Sequence, residues 1–258
     1  ALLVTGITEL TGAILLAFRF IPQFGVAKGI WYSIFHSISA FCNAGFDLLG
    51  GYRSMTVYDK DPYVLLIIMA LIVAGGLGFG VILNIRNTRD PRRLRLHSKM
   101  VLTGTVSLIL SGALLFLWIE YDNPKTIGGM NLFDKIVNAM FQSVTLRTAG
   151  FNSIDQLAMH DASKGVGILL MLVGGGPAGT AGGLKITTVF TLLLAARAYL
   201  RGKFETEAFG RTIPLEQTRR ALTITLLGGL FLLMMATMLS FSEQDMPAGS
   251  LGLLNQLY

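Results

Sequence analysis

The sequence is short of charge. Only 14% of its 258 residues are Asp, Glu, Lys or Arg, and 52% are hydrophobic. Soluble domains carry roughly 25% charged residues, so the deficit points to lipid as the solvent. There is one cysteine, Cys42, which excludes an intrachain disulfide framework and any site built from several thiolates. Three histidines, His36, His97 and His160, are scattered through the chain without the HExxH spacing of a metal site. Each reads as a loop residue or a satisfied side chain. No paired intramembrane carboxylates and no nucleophile–base pair support a membrane enzyme. The net charge is +6. In an apolar chain such an excess marks cytoplasmic connections rather than nucleic-acid binding. No signal peptide is visible. The chain opens inside an apolar run and ends on LLNQLY, so it reads as a piece of a longer protein.

What is abundant is apolar sequence in long runs. A bilayer core of about 30 Å needs about 20 helical residues. Ala1–Phe18, Tyr63–Asn84, Met100–Ile119, Gly165–Ala196 and Ala221–Phe241 qualify or nearly qualify. Two shorter and more polar segments, Gly29–Phe46 and Leu132–Phe151, lie between them and fit re-entrant helices that return as extended backbone. Arg86, Arg89, Arg92, Arg93, Arg95 and Lys99 crowd one connection; Arg197, Arg201, Lys203, Arg211, Arg219 and Arg220 crowd another. Both should be cytoplasmic. Glu120, Asp122, Asp155, Asp161, Glu243 and Asp245 mark the outer connections. The alternation closes only if both short segments enter and leave on the outer side. The expected fold is thus an all-α polytopic membrane protein. It has one span–re-entrant–span unit over 1–84, a cytoplasmic connection over 85–99, a second unit over 100–196, a connection over 197–220 and the start of another unit over 221–258.

Each re-entrant segment ends on the same bend: SISAFCNAGFD at Ser37–Asp47 and SVTLRTAGFN at Ser143–Asn152, with Gly150 following Gly45 by 105 residues. Irregular backbone at membrane depth survives only when buried in protein or lining a water-filled cavity. Glycine lets the chain take positive φ and turn carbonyls to one side. A ring of carbonyls replaces the hydration shell of a monovalent cation. The short helix before each bend also aims its partly negative C-terminal end at the pore. A glycine bend can equally be a packing feature of a transporter loop; its repetition in one topological place favours the pore.

On these residues the chain resembles the Trk/Ktr/HKT superfamily of cation transporters, most of all its Ktr-type potassium uptake membrane subunits. That family is built from four M1–P–M2 repeats around one pore, each giving one filter glycine. The resemblance runs from the first helix of the second repeat to the first helix of the fourth. It implies filter residues Cys42, Asn43, Ala44 and Gly45 in one repeat and Arg147, Thr148, Ala149 and Gly150 in the next. Their backbone carbonyls would meet K⁺. Asn43 and Thr148 would hold the loops by side-chain hydrogen bonds, and Arg147 would point away from the ion. It further implies Na⁺ coupling or activation, a homodimer in lipid, and a cytosolic ring of nucleotide-binding regulatory subunits. The filter strands of the first and fourth repeats are not in this chain.

The run VGGGPAGTAGGLKITT, Val173–Thr188, interrupts an apolar span. Its glycines and proline together cost a continuous helix about 9 kcal/mol, so the helix should break. GxGxxG at Gly174–Gly179 lacks the strand and βαβ context of a dinucleotide site. Counting inward from Gly165 at about 1.5 Å per residue places Gly174 about 14 Å deep, beneath the filter. A loop there obstructs a pore. The family resemblance implies an intramembrane gate made of Gly174, Gly175, Gly176, Pro177, Gly179, Gly182, Gly183 and Lys185. Lys185 could tether the loop, repel ions in the closed state, or snorkel to the inner interface. The glycines of Gly75–Gly80 are expected to serve tight helix packing. The basic connection Arg197–Arg220 is either a docking surface for the regulator or ordinary inner-side charge. The expected function is K⁺ movement through a gated pore. The alternative is a secondary transporter with broken helices around a midplane solute site.

Overall fold

In the computed structural model, residues 2–51, 53–88, 90–203 and 205–242 are described; Arg89, Glu243 and Asp245 of the charge pattern lie outside them. Among the described residues nine α-helices follow in order: α1 (Leu2–Phe24), α2 (Val26–Phe41), α3 (Pro62–Leu77), α4 (Phe79–Asn87), α5 (Leu96–Glu120), α6 (Leu132–Thr145), α7 (Asp161–Leu172), α8 (Ile186–Leu200) and α9 (Leu215–Ser242). Among the described residues, α1, α5 and α9 are each long and apolar enough to cross a membrane, and the bent pair α3–α4 is so only when its two helices are counted together.

The central element is α3. It is apolar on every side, and Val64, Leu65, Ile68, Leu71 and Ile72 are all buried. They join Leu16 and Phe20 of α1, Ala40 of α2, and Val137, Phe141 and Val144 of α6 in one core, with Ala149 and Phe151 at its edge. The two units therefore share their largest hydrophobic cluster.

A repeated lock seats each re-entrant helix against the span before it. Ser37 Oγ donates to the Glu9 carbonyl at 2.6 Å, and a Cβ at Gly12 would lie 2.5 Å from that hydroxyl. Ser143 Oγ donates to the Ile109 carbonyl at 2.9 Å, and a Cβ at Gly112 would strike the Ser143 hydroxyl. In both units the accepting carbonyl precedes the glycine by three residues. Only a glycine lets the helices approach this closely.

The acidic connections meet at one end of the bundle. The Asn138 amide donates to the Asp59 carbonyl at 2.7 Å, and the Asn152 N–H donates to Ser54 Oγ at 3.0 Å. Glu120, the last residue of α5, is 1% exposed. Its carboxylate accepts from Asn123 Nδ2 (2.7 Å), Thr126 Oγ1 (2.8 Å), Ser163 Oγ (2.5 Å) and the His160 N–H (2.9 Å). It thus satisfies donors at the start of α7. Tyr58 lies in the outer connection of the first unit; burial pushes its phenol up to about 12, and its hydroxyl donates to Gln23 Oε1 at 2.7 Å. At the other end the basic connections converge, since Leu96 and His97 share a cleft with Gln217 and Arg220.

Three helix boundaries, one connection and one span differ from the sequence expectation. The first helix runs on past Pro22 to Phe24, and α2 starts at Val26 rather than Gly29, the two being divided only by Gly25 at φ 82°. The helix α7 begins at Asp161 instead of Gly165. The inner connection contains a hairpin, β1 (Thr206–Ala208) and β2 (Arg211–Ile213), with Thr206 opposite Ile213 and Phe209–Gly210 both at positive φ in its turn; it packs Ala208 and Ile213 on Met100. Finally, Gly75–Gly80 does more than pack. The span breaks at Gly78, φ 86°, and α4 leaves α3 at 93°.

Candidate functional site

The backbone after α2 and the backbone after α6 take one unusual conformation. Asn43 and Gly45 have φ of 52° and 73°; Thr148 and Gly150 have φ of 67° and 85°. In each strand one alanine, Ala44 or Ala149, separates two residues of positive φ. For a β-branched threonine this region is a true outlier, so local bonds must hold it. Alternation of this kind prevents the chain from continuing as helix or strand.

The two strands lie face to face. A Cβ at Gly45 would sit 2.5 Å from the Ala149 carbonyl oxygen and 2.7 Å from the Gly150 Cα. A Cβ at Gly150 would sit 3.3 Å from the Gly45 Cα and 3.8 Å from the Ala44 oxygen. Each alanine carbonyl therefore lies against the other strand's glycine. A cavity of about 560 Å³ opens beside them, lined by Asn43, Ala44, Thr148, Ala149 and Gly150. Cys42 is the C-cap of α2, its thiol 3.8 Å from the Glu9 carboxylate. The helices α2 and α6 both end here, so their partly negative ends converge on the strands.

Side chains brace both bends. The Asn43 amide faces the carbonyls of Ala40 at 3.2 Å and Ile72 at 3.3 Å, two acceptors that assign its nitrogen to that side. Ser39 Oγ donates to the Phe46 carbonyl at 2.8 Å, and Thr145 Oγ1 donates to the Phe151 carbonyl at 2.6 Å. A hydroxyl from the last turn of each re-entrant helix thus fixes the residue after each glycine. Arg147 turns away from the strands. It is 6% exposed, and Nη2 donates to Thr105 Oγ1 at 3.4 Å and to the Gly174 carbonyl at 3.3 Å. Among the described residues no carboxylate pairs with it and its Nε has no acceptor.

Residues 173–185 are not helical. The loop is pinched at its neck by Gly174 N–H to Leu184 O (3.0 Å), Leu184 N–H to Leu172 O (3.0 Å) and Ile186 N–H to Gly175 O (3.1 Å). Its body docks on the broken end of α3. The Gly176 N–H donates to Gly76 O at 2.7 Å, and the Thr180 N–H donates to Gly75 O at 3.2 Å. These carbonyls belong to the last turn of a helix and have no partner within it. Gly175 and Gly176 approach the carbonyls of Gly76 and Leu77 so closely that no side chain fits. Pro177 places its carbonyl against Gly78, and the Phe79 N–H reaches Ala178 O at 3.4 Å. The loop and the bend in α3–α4 fill one another's space. Lys185 Nζ donates to the Ala181 carbonyl at 2.7 Å, which makes it a strut inside the loop.

The sequence profile of the TrkH family, described as cation transport protein, matches residues 2–247. The chain belongs to this family. It is 44% identical over 218 residues to the potassium/sodium uptake protein NtpJ of Enterococcus hirae, covering 84% of this chain and 48% of that protein. It is 42% identical over 217 residues to the Ktr system potassium uptake protein B of Bacillus subtilis, again 84% of this chain and 48% of the relative. The solved potassium transporter TrkH from Vibrio parahaemolyticus shares the fold, with a TM-score of 0.68 at 19% identity over 91% of this chain and 50% of that one. The chain spans about half the length of the curated relatives it matches. It is a multi-pass membrane protein of a transport family, and its relatives are not enzymes.

Sequence reasoning missed Thr180, Gly78 and the paired hydroxyls Ser39 and Thr145. The one signal for Thr180 was its place as the only hydroxyl between Gly174 and Gly183. Ser39 and Thr145 sit one residue out of the 105-residue register, which hid their equivalence.

Proposed function

We propose that this chain supplies two repeats, and the start of a third, of a K⁺ uptake pore. Residues 42–45 and 147–150 are two of its filter strands and residues 174–185 its gate. One observation carries this reading: two backbone strands 105 residues apart hold the same pair of left-handed residues and face each other across their glycines. Such backbone at membrane depth needs a cavity to be stable, and carbonyls beside a cavity suit a dehydrated cation.

In this reading a K⁺ ion exchanges its water for carbonyl oxygens of the residues just before each glycine. The C-terminal ends of α2 and α6 hold it there electrostatically, while the Arg147 charge stays buried behind the strand. The glycine-rich loop blocks the path below. Its neck hydrogen bonds form a hinge, and its glycines let the body move without side-chain clashes. Relatives named for potassium and for potassium/sodium uptake support K⁺ as cargo, with Na⁺ as a coupled or activating ion. Membership of a named uptake system supports further subunits. We assign the regulator to a cytosolic nucleotide-binding ring that docks on the basic connection and its hairpin, and the assembly to a homodimer.

The test removes residues 177–182, joining Gly176 to Gly183 across the pinched neck. In vesicles holding the full-length protein, K⁺ flux without the cytosolic partner should rise at least severalfold. A folded deletion with unaltered flux and unaltered regulation would show the loop to be a packing irregularity.

A further inference from the structure

Gate and filter are bonded to one another, not merely stacked. Thr180 Oγ1 donates to the Phe41 carbonyl at 2.9 Å. Phe41 is the last residue of α2, immediately before the first filter strand, and its carbonyl is one that a helix end leaves without a partner. A Cβ at Gly75 would lie 1.9 Å from that carbonyl oxygen and 2.8 Å from Thr180 Oγ1, so only a glycine at 75 leaves room for this bond. On the second strand, the Gly182 N–H donates to Thr148 Oγ1 at 2.8 Å. Thr148 is the β-branched residue held at φ 67°. A third bond runs from Arg147 Nη2 to the Gly174 carbonyl at the loop's neck. A movement of the loop large enough to clear the path must break the first two bonds, one on each strand. Losing them removes one restraint from the strained residue Thr148 and one from the helix-end carbonyl of Phe41.

Resting on the assignment of filter and gate above, we infer that the loop is also a clamp on the filter. The strands keep their K⁺-selective geometry while the loop is docked, and Thr180 is the positioning residue that transmits docking to the first strand. Linkage makes this reciprocal. If docking favours K⁺ over Na⁺ in the filter, K⁺ in the filter favours docking.

The experiment uses Thr180→Val and Thr180→Ser in the full-length protein in vesicles. Valine keeps the shape and removes the donor; serine keeps the donor. Thr180→Val should raise partner-free K⁺ flux and lower the K⁺-over-Na⁺ preference about fivefold, while Thr180→Ser stays near wild type. Retained preference in a folded Thr180→Val overturns the inference, whatever its flux. A second measurement covers a Thr180→Val that does not fold. Ala178→Cys in otherwise wild-type protein is labelled with a thiol reagent and read by peptide mass, so that Cys42 is not counted. Saturating K⁺ should slow that labelling severalfold relative to Na⁺, and equal rates overturn the inference. Deleting residues 177–182 separates the two levels. If that deletion raises flux while selectivity ignores Thr180, the gate stands and the clamp falls. If the deletion changes nothing, the gate falls and the clamp with it.

Discussion

At the scale of single residues the two glycines proposed for the filter, Gly45 and Gly150, are not equivalent. Both sit at positive φ, where an L side chain costs about 1–2 kcal/mol. At Gly45 a Cβ also meets the Ala149 oxygen at 2.5 Å, whereas at Gly150 its nearest neighbour is 3.3 Å away. Gly45→Ser should therefore lower K⁺ affinity and K⁺/Na⁺ preference more than Gly150→Ser, by about tenfold or more for the former. Competition curves for the two variants check this, and equal or reversed effects would count against the facing-strand geometry. The glycines were legible because they recur with the same neighbours. Arg147 was legible by charge alone, since a fixed cation at the strand would repel the ion; its actual acceptors, Thr105 and the Gly174 carbonyl, come from distant segments and left no local trace. Glu120 shows the limit of reading charges by position. A carboxylate at a helix end carries no sign of burial in the sequence, yet four donors from two neighbouring segments enclose it.

At the scale of elements, two helices break and each break explains the other. The loop at 173–185 could be read from composition, because seven helix-breaking residues cost more than one helix recovers. The bend at Gly78 could not. Four scattered glycines in 75–80 are tolerable in a buried membrane helix, and what decides the bend is the Pro177 carbonyl lodged against Gly78. That is tertiary information. It yields a prediction: Gly78→Ala puts a Cβ into that carbonyl at a backbone φ of 86°. The variant should displace the loop and raise partner-free K⁺ flux severalfold in vesicles. Wild-type flux in a folded Gly78→Ala would mean that the bend and the loop are not interlocked. The repeated serine–glycine lock was hidden for a different reason. Gly12 and Gly112 are 100 residues apart while the filter glycines are 105 apart, so a single offset does not align both features.

At the scale of the whole molecule, composition and charge were enough for an all-helical membrane protein, and the structure agrees in placing the basic connections together at one end and the acidic ones at the other. The short inner hairpin escaped because its apolar positions, Ala208 and Ile213, gain their partners only from α5 and α8. The helix α9 leaves Leu226, Leu230 and Leu233 exposed, an apolar surface suited to lipid or to another helix. The claim that unites the three scales is a K⁺-selective, gated path. It is tested most directly by ion flux through vesicles containing the full-length protein, with K⁺ and Na⁺ gradients imposed separately and organic solutes offered as competitors. The account predicts uptake that follows the K⁺ gradient and membrane potential, exceeds that of Na⁺, and ignores organic solutes; uptake that requires an organic solute, or equal passage of K⁺ and Na⁺ by the wild type, would contradict it.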